Sequence, residues 1–181
     1  MIRLATLADS KPLNEIYSYY VCNTPFTFEC VPPTSDEFSV RICEALEYFP
    51  FYVYEDGGEI LGYAYAHKYH EREAYRWICE TSIYIRANLQ RKGVGAALYE
   101  KVLKSVKDQG FSKALAILGC PNEPSEAFHL KMGFTLMAVF PRMGFKLDGW
   151  HDVAYYVMEL NQAKDKMSEP VPYWMIADEE D

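Results

Sequence analysis

The sequence is short of positive charge, of cysteine pairs and of long apolar runs, and each shortage removes a class of function. Lysine and arginine total 18 against 26 aspartates and glutamates, a formal net charge of -8. Such a surface repels polyanions, and no local basic stripe interrupts it, so no nucleic-acid partner is expected. The five cysteines, Cys22, Cys30, Cys43, Cys79 and Cys120, are odd in number and form no C-x-x-C pair. That pattern suits free thiols in a reducing compartment, and the expected location is cytoplasmic. No stretch approaches the roughly 20 apolar residues of a membrane span. Residues 1–6 also lack the basic-then-apolar pattern of a secretion signal, so no membrane partner is expected. Metal-ligand spacing is scarce too. His67 and His70, with Glu71 and Glu73, make an H-x-x-H loop without a third nitrogen or sulfur ligand, so no metal is expected.

What is present is material for a core. Half of the residues are hydrophobic and 15% are aromatic, in 181 residues, which argues for one packed domain. Residues 2–5 read as a short strand. Asp9 or Ser10 then caps a helix with Leu13, Ile16, Tyr17, Tyr20 and Val21 at helical spacing. Residues 23–33 form a loop closed by Pro32-Pro33, and Thr34 or Ser35 caps a helix to about Tyr48. Residues 51–54 and 60–67 are strands joined by a turn at Asp56-Gly57-Gly58. A polar connection leads to residues 75–85, the longest extended run. A helix over 95–109 turns Leu98, Val102, Leu103 and Val106 inward and stops at Gly110. Residues 113–118 are a buried strand, and Asn122 caps a short helix ended by Gly133. Residues 135–140 and 153–160 are two more strands, joined by an excursion around Gly144 and Gly149. The order β-α-α-β-β-β-α-β-α-β-β defines an α/β (α+β) chain with a mixed sheet. No internal repeat is visible. The domain is expected to span 1–161, and 162–181 to be an acidic, proline-containing tail whose Tyr173-Trp174-Met175-Ile176 cluster docks on the domain or on a partner.

The most informative segment is Gln90-Arg91-Lys92-Gly93-Val94-Gly95-Ala96, between a strand and a strong helix. Glycines there let backbone amides approach a diphosphate, and the helix start adds a favourable dipole. The plain alternative is a strand-to-helix turn with two glycines. The third glycine of a dinucleotide fold is missing, and no Lys-Ser or Lys-Thr pair follows as in a Walker loop.

Gln90 to Ala96 resembles the pyrophosphate loop of the GNAT superfamily of N-acetyltransferases, and Ser125 to Phe134 resembles its later motif, a short helix ending in Gly-Phe. Residues 2–160 are similar, more narrowly, to the phosphinothricin and methionine sulfoximine acetyltransferase branch. The residues that carry this are Asn23-Thr24, Thr27-Phe28 and Pro32-Pro33, then Gly62-Tyr63-Ala64, Tyr75-Arg76 and Glu80-x-Ser82-Ile83-Tyr84-Ile85, with Lys146, Trp150 and Asp152. The resemblance implies a mostly antiparallel sheet of about seven strands flanked by four helices and splayed at an acetyl-CoA site. It implies that Ile83, Tyr84 and Ile85 hold the pantetheine arm through the backbone. Gln90, Arg91, Lys92, Gly93, Val94, Gly95 and Ala96 would hold the pyrophosphate, and Asn122 and Ser125 would meet the far side of the arm. Read from the residues alone, Asn122 and Ser125 are a helix cap and its neighbour. The branch usually forms homodimers, which is carried here as an implication.

Acetyl transfer to an amine needs a neutral amine, a stabilised oxyanion and a proton for the leaving thiolate. In the branch that this chain resembles, Glu80 stands at the position of the general base. A carboxylate with a reference pKa of roughly 4.3 serves better when burial raises it. On a regular strand Glu80 would share a face with Arg76, Ser82 and Tyr84, unless a bulge intervenes. The resemblance points to His129 as thiolate proton donor; Tyr84 or a water are the alternatives. Tyr75 and Arg76 match the acceptor-binding pair, Arg76 being suited to a substrate carboxylate, and Phe28 would wall the acceptor pocket. The chain departs from the branch at Thr81, where histidine is common, at Phe145, where arginine is common, and at the bulkier Phe26. The expected activity is acetyl transfer to a small amino-acid-like amine by direct attack. A protein N-terminus or polyamine as acceptor, and a non-catalytic acyl-CoA-binding module, are the other readings.

Overall fold

The computed structural model describes residues 1–87, 89, 93–162 and 168–177. Strand β1 (Ile2–Leu4) leads through a 3-10 turn (Leu7–Asp9) into helix α1 (Ser10–Asn23). Asp9 does not cap α1 with its side chain. Its carboxylate instead accepts from Thr6 N and Thr6 Oγ1 and takes both nitrogens of the Arg3 fork at 2.8 Å. Helix α2 (Ser35–Leu46) begins at a reciprocal capping box between Thr34 and Glu37, which satisfies orphan amides at that end.

Strands β2 (Phe51–Asp56) and β3 (Glu59–Lys68) form a hairpin through Gly57 and Gly58, both at positive φ, as a two-residue turn of this hand requires. A short 3-10 turn (Glu73–Tyr75) precedes β4 (Ile78–Ile85). The extended run is therefore shorter than the sequence suggests: Tyr75 and Arg76 precede the strand, and Arg76 does not share Glu80's face through strand alternation. Helix α3 (Val94–Asp108), strand β5 (Lys113–Cys120), helix α4 (Glu123–Lys131), and strands β6 (Thr135–Lys146) and β7 (Gly149–Glu159) follow. The excursion expected around Gly144 and Gly149 is the end of one long hairpin. Leu147 and Asp148, both at positive φ, close it, and a register break between Phe140 and Gly144 absorbs Pro141. Pro141 removes a ladder donor, so the strand tolerates it only at such an irregularity on the sheet edge.

The seven strands lie in the order β1-β2-β3-β4-β5-β7-β6, antiparallel except for the β4–β5 pair, with four helices among the described residues. One face packs α1 and α2 over Phe51, Val53 and Tyr63. The other packs α3 over Ala64, Ala66 and Ala114 through Leu98, Val102 and Val106, all fully buried. Each such aliphatic side chain contributes on the order of 1.5–3 kcal/mol. Small residues on the strands bring α3 close to the sheet.

The C-terminal segment 168–177 docks on this core. Val171 N donates to Gln109 O, Tyr173 N donates to Tyr48 O, and the Tyr173 hydroxyl lies 2.6 Å from that of Tyr52.

Candidate active site

The sheet opens where the only parallel pair among the described residues ends. β4 and β5 are in register through Ile78–Lys113, Cys79–Ala114 and Glu80–Leu115, and then part. β4 stays paired with β3 without a register shift, from Lys68–Cys79 to Gly62–Ile85, so the opening comes from divergence on the β5 side and not from a bulge in that ladder. The Arg86 N to Leu61 O bond sets the phase of the ladder. Since main-chain groups alternate sides along an antiparallel strand, those of Thr81, Ile83 and Ile85 face the gap. The Tyr20 hydroxyl reaches across and donates to Ile85 O at 2.5 Å.

A cavity of about 300 Å³ fills the gap, with Ser82, Ile83, Ile85, Gly95, Asn122 and His129 on its walls. At one end is the start of α3. Gly93, at φ +74°, turns the chain into the helix, and the first helical bond is Ala97 N to Gly93 O. The amides of Val94, Gly95 and Ala96 therefore have no intrahelical carbonyl, and with the helix dipole they present a seat for an anion. A side chain at Gly95 would meet Ile83 and Phe128 only at ordinary contact distance, 3.6–3.7 Å. Glycine is thus not demanded there by protein packing. Gln90, Arg91 and Lys92 lie outside the described residues.

On the far wall Asn122 caps α4, its Oδ1 accepting from Ser125 N at 3.4 Å. One turn on, His129 is buried at the centre of a polar chain. Its Nδ1 is 2.8 Å from Ser125 O, its Nε2 is 3.0 Å from Tyr99 Oη, Tyr99 Oη is 2.6 Å from Thr81 Oγ1, and Thr81 Oγ1 donates to Leu115 O at 3.0 Å. Both carbonyls can only accept, so Nδ1 carries a hydrogen and the threonine proton goes to Leu115. Tyr99 is left with one hydrogen for two neighbours. The neutral chain is one hydrogen short, and a proton on His129 would complete it. Desolvation nevertheless holds the imidazole below its ordinary pKa.

Glu80 stands at the apex of the opening, on the α1–α2 face. Cross-strand partners share a face, which sets His67 beside Glu80, Tyr65 beside Ser82 and Tyr63 beside Tyr84. Burial raises the Glu80 carboxyl from its ordinary 4.5 to about 7. Among the described residues the basic group beside it is His67, with Nε2 3.8 Å from Oε1. Tyr84 packs among Tyr17, Tyr20 and Tyr63, and burial carries its hydroxyl well above the ordinary 10.

The loop between α1 and α2 covers this region. Phe28 fills the space over Gly144, and the Lys146 ammonium, buried, donates to Thr27 O at 2.7 Å. Tyr17 Oη bonds Thr27 and Glu29, and Glu29 holds the Arg41 fork. Tyr75 meets Tyr69 edge-on and His70 at a tilt. Arg76 is placed otherwise than expected: it pairs with Glu169 of the C-terminal segment and with Glu73, and stacks 5.0 Å over Trp77. Ninety-three residues separate Arg76 from Glu169, so no local pattern announces the pair. Tyr99 has no signal of its own in the sequence, which marks Thr81 only as a departure from the branch and His67 only as a weak metal-ligand candidate. The placement of His67 beside Glu80 is visible only through the β3–β4 register. Among the described residues no group of three or more potential metal ligands occurs.

A parallel pair that splits beside a helix N-terminus, with a titrating carboxylate at the apex, is the architecture of an acyl-transfer enzyme. The sequence profile described as "Acetyltransferase (GNAT) domain" matches residues 2–155, and the chain belongs to this family. A phosphinothricin N-acetyltransferase of Streptomyces viridochromogenes is 35% identical over 155 residues, covering 86% of this chain and 85% of that protein. An L-methionine sulfoximine/L-methionine sulfone acetyltransferase of Salmonella typhimurium is 26% identical over 162 residues, covering 89% and 95%. Among solved structures, the phosphinothricin acetyltransferase of Sinorhizobium meliloti in complex with acetyl-CoA superposes with a TM-score of 0.88 at 30% identity, over 96% of this chain and 97% of that one.

Proposed function

We propose that the chain transfers the acetyl group of acetyl-CoA to the amino group of a small amino-acid-like molecule, with Glu80 as general base. The observation that carries this is the Glu80 carboxyl, raised to about 7, at the point where the two strands part. The split sheet fits acetyl-CoA on its own terms. Main-chain groups of Ile83 and Ile85 face the gap on a strand edge that β5 has left, with the Ile85 carbonyl held by Tyr20, the amides of Val94, Gly95 and Ala96 offer an anion seat, and Asn122 and Ser125 form the opposite wall. Bound there, acetyl-CoA supplies an activated thioester carbonyl and a thiolate leaving group. Glu80 takes the amine proton. A proton returns to the sulfur from the His129 side, through Tyr99 and Thr81, or from a water. Phe28 walls the acceptor, and Tyr75 borders it through Tyr69. Residues 1–161 carry these groups, with 162–181 as a tail.

Two further expectations are kept as proposals. Five cysteines without disulfides fit a reducing, cytoplasmic setting. A homodimer is supported by the run of exposed apolar side chains on the outer hairpin, including Leu136, Val139, Phe140, Met143 and Trp150. The engagement of Arg76 by Glu169 and Glu73 favours a second acceptor class, a polyamine or a protein N-terminus, which needs no carboxylate clamp.

Thioester consumption by purified protein separates these readings. The panel is phosphinothricin, methionine sulfoximine, methionine sulfone, a polyamine and an N-terminal peptide. Turnover of the first three is expected, and a loss on Arg76→Ala confined to them would show Arg76 exchanging Glu169 for the substrate carboxylate. Turnover of the polyamine or peptide alone moves the acceptor to the second class. Acetyl-CoA binding without turnover of any amine overturns the enzymatic reading.

A further inference from the structure

We propose that His67 is the proton relay of this active site, carrying to solvent the proton that Glu80 takes from the acceptor amine. The inference rests on Glu80 as the base and adds the path by which that base is regenerated.

Four observations converge on His67. The β3–β4 ladder sets it directly opposite Glu80 on the same face, so strand geometry holds the two side chains side by side. Its Nδ1 lies 3.2 Å from Lys68 O. A carbonyl cannot donate, so that nitrogen carries the hydrogen. Nε2 is then a lone pair, 3.8 Å from Glu80 Oε1. Rotation about a side-chain torsion closes such a gap, and catalytic hydrogen bonds are often long before substrate binds. Finally, His67 lines a second, open cleft of about 460 Å³ between α2 and β3. Of the pair, His67 is the more open to solvent, its side chain 36% exposed against 21% for Glu80.

The other titratable groups around His67 are otherwise engaged. Arg41 of α2 is held by Glu29, and Lys68 of β3 is paired with Glu71 of the connection to β4. Glu44 of α2 is on the outer rim of the cleft. The hydroxyls of Tyr65 and Tyr69 are pushed above their ordinary 10 by burial. Desolvation keeps His67 neutral at neutral pH, which leaves Nε2 free to accept. The proton balance is simple. The amine N–H proton passes to Glu80 Oε, and the carboxyl O–H proton passes to His67 Nε2 while Nδ1–H stays on Lys68 O. The imidazolium then releases the Nε2 proton to water in the cleft, and one proton has moved from amine to solvent with no change of oxidation state.

The test uses the full chain, acetyl-CoA and whichever panel amine gives the highest kcat/KM. His67→Ala and His67→Gln are each expected to lower kcat about tenfold at neutral pH with both KM values changed less than about twofold. Imidazole at about 50 mM should restore most of the His67→Ala rate, saturably, while leaving wild type and Glu80→Gln unaffected. A His67→Ala rate within about twofold of wild type and independent of imidazole overturns the relay. So does a loss that imidazole does not restore in a variant of unchanged melting temperature. Glu80→Gln tells the two readings apart: if it keeps the wild-type rate, the base is wrong, and if it alone is inactive, only the relay is.

Discussion

Glu80 combines two opposing demands, and its own thermodynamics expose them. Its pKa in the fold, about 7, lies above the ordinary 4.5 because burial disfavours the charge. A raised folded value means that its contribution to stability is complete below about 4.5 and is lost as pH rises through 7. Glu80→Gln is therefore expected to match wild type near pH 4.5 and to be more stable by on the order of 2 kcal/mol near pH 8. Chemical denaturation at the two pH values checks this. With Glu80 as the proposed base, catalysis runs the other way, since a base works only when ionised: wild-type kcat should rise with pH through about 7, and Glu80→Gln should lose that limb. Tyr99 offers a second residue-scale test. Tyr99→Phe leaves His129 Nε2 and Thr81 Oγ1 without their shared partner, at a cost of about 1–3 kcal/mol. If the thiolate is protonated through this chain, kcat falls while acetyl-CoA affinity, measured by calorimetry, stays near wild type.

At the level of elements, what matters is how strands and loops lean on one another. The α1–α2 loop reaches the site because Phe28 lies over Gly144 of β6 and because Lys146, at the end of that strand, holds Thr27 O. A Cβ at position 144 would overlap the Phe28 ring. Gly144→Ala is thus expected to displace Phe28 and raise the acceptor KM several-fold, about 1 kcal/mol, with the KM for acetyl-CoA unchanged; steady-state kinetics in both substrates is the check. Helices, the caps at Thr34 and Asn122 and the glycine hairpin after Asp56 were legible in the sequence, because 3.6-residue periodicity and turn chemistry are local; the α1 cap was not, since Arg3 takes the Asp9 carboxylate. The β6–β7 hairpin was not. Its closing residues, Leu147 and Asp148, hold positive φ without the Asn-Gly or Gly-Gly signature, and Pro141 reads as a break where the edge strand absorbs it as an irregularity. The start of β4 was misplaced for the same kind of reason: Tyr75 and Arg76 have extended-strand composition but sit in a 3-10 turn.

Across the whole molecule, the outer edge of the sheet is the part left unfinished. β6 is exposed along nearly its full length and carries Leu136, Met137, Val139, Phe140, Met143 and Phe145. Bare apolar edges of this kind favour association. Light scattering on the purified chain is expected to give the mass of a dimer, and Val139→Glu with Phe140→Glu the mass of a monomer. An unchanged mass in the variant would place the contact elsewhere.

The sequence by itself determined the order of elements, because periodicity and turn chemistry are written in neighbouring residues, while Glu80 and the segment around Gly93 and Gly95 drew their proposed roles from the family resemblance. It did not determine where the β4–β5 pairing stops, which residue faces Glu80 across the β3–β4 ladder, or that Arg76 is held by Glu169. Those are long-range matters of register and docking. A one-residue slip in pairing would turn His67 to the opposite face without altering a single local signal, and so only the folded sheet decides them.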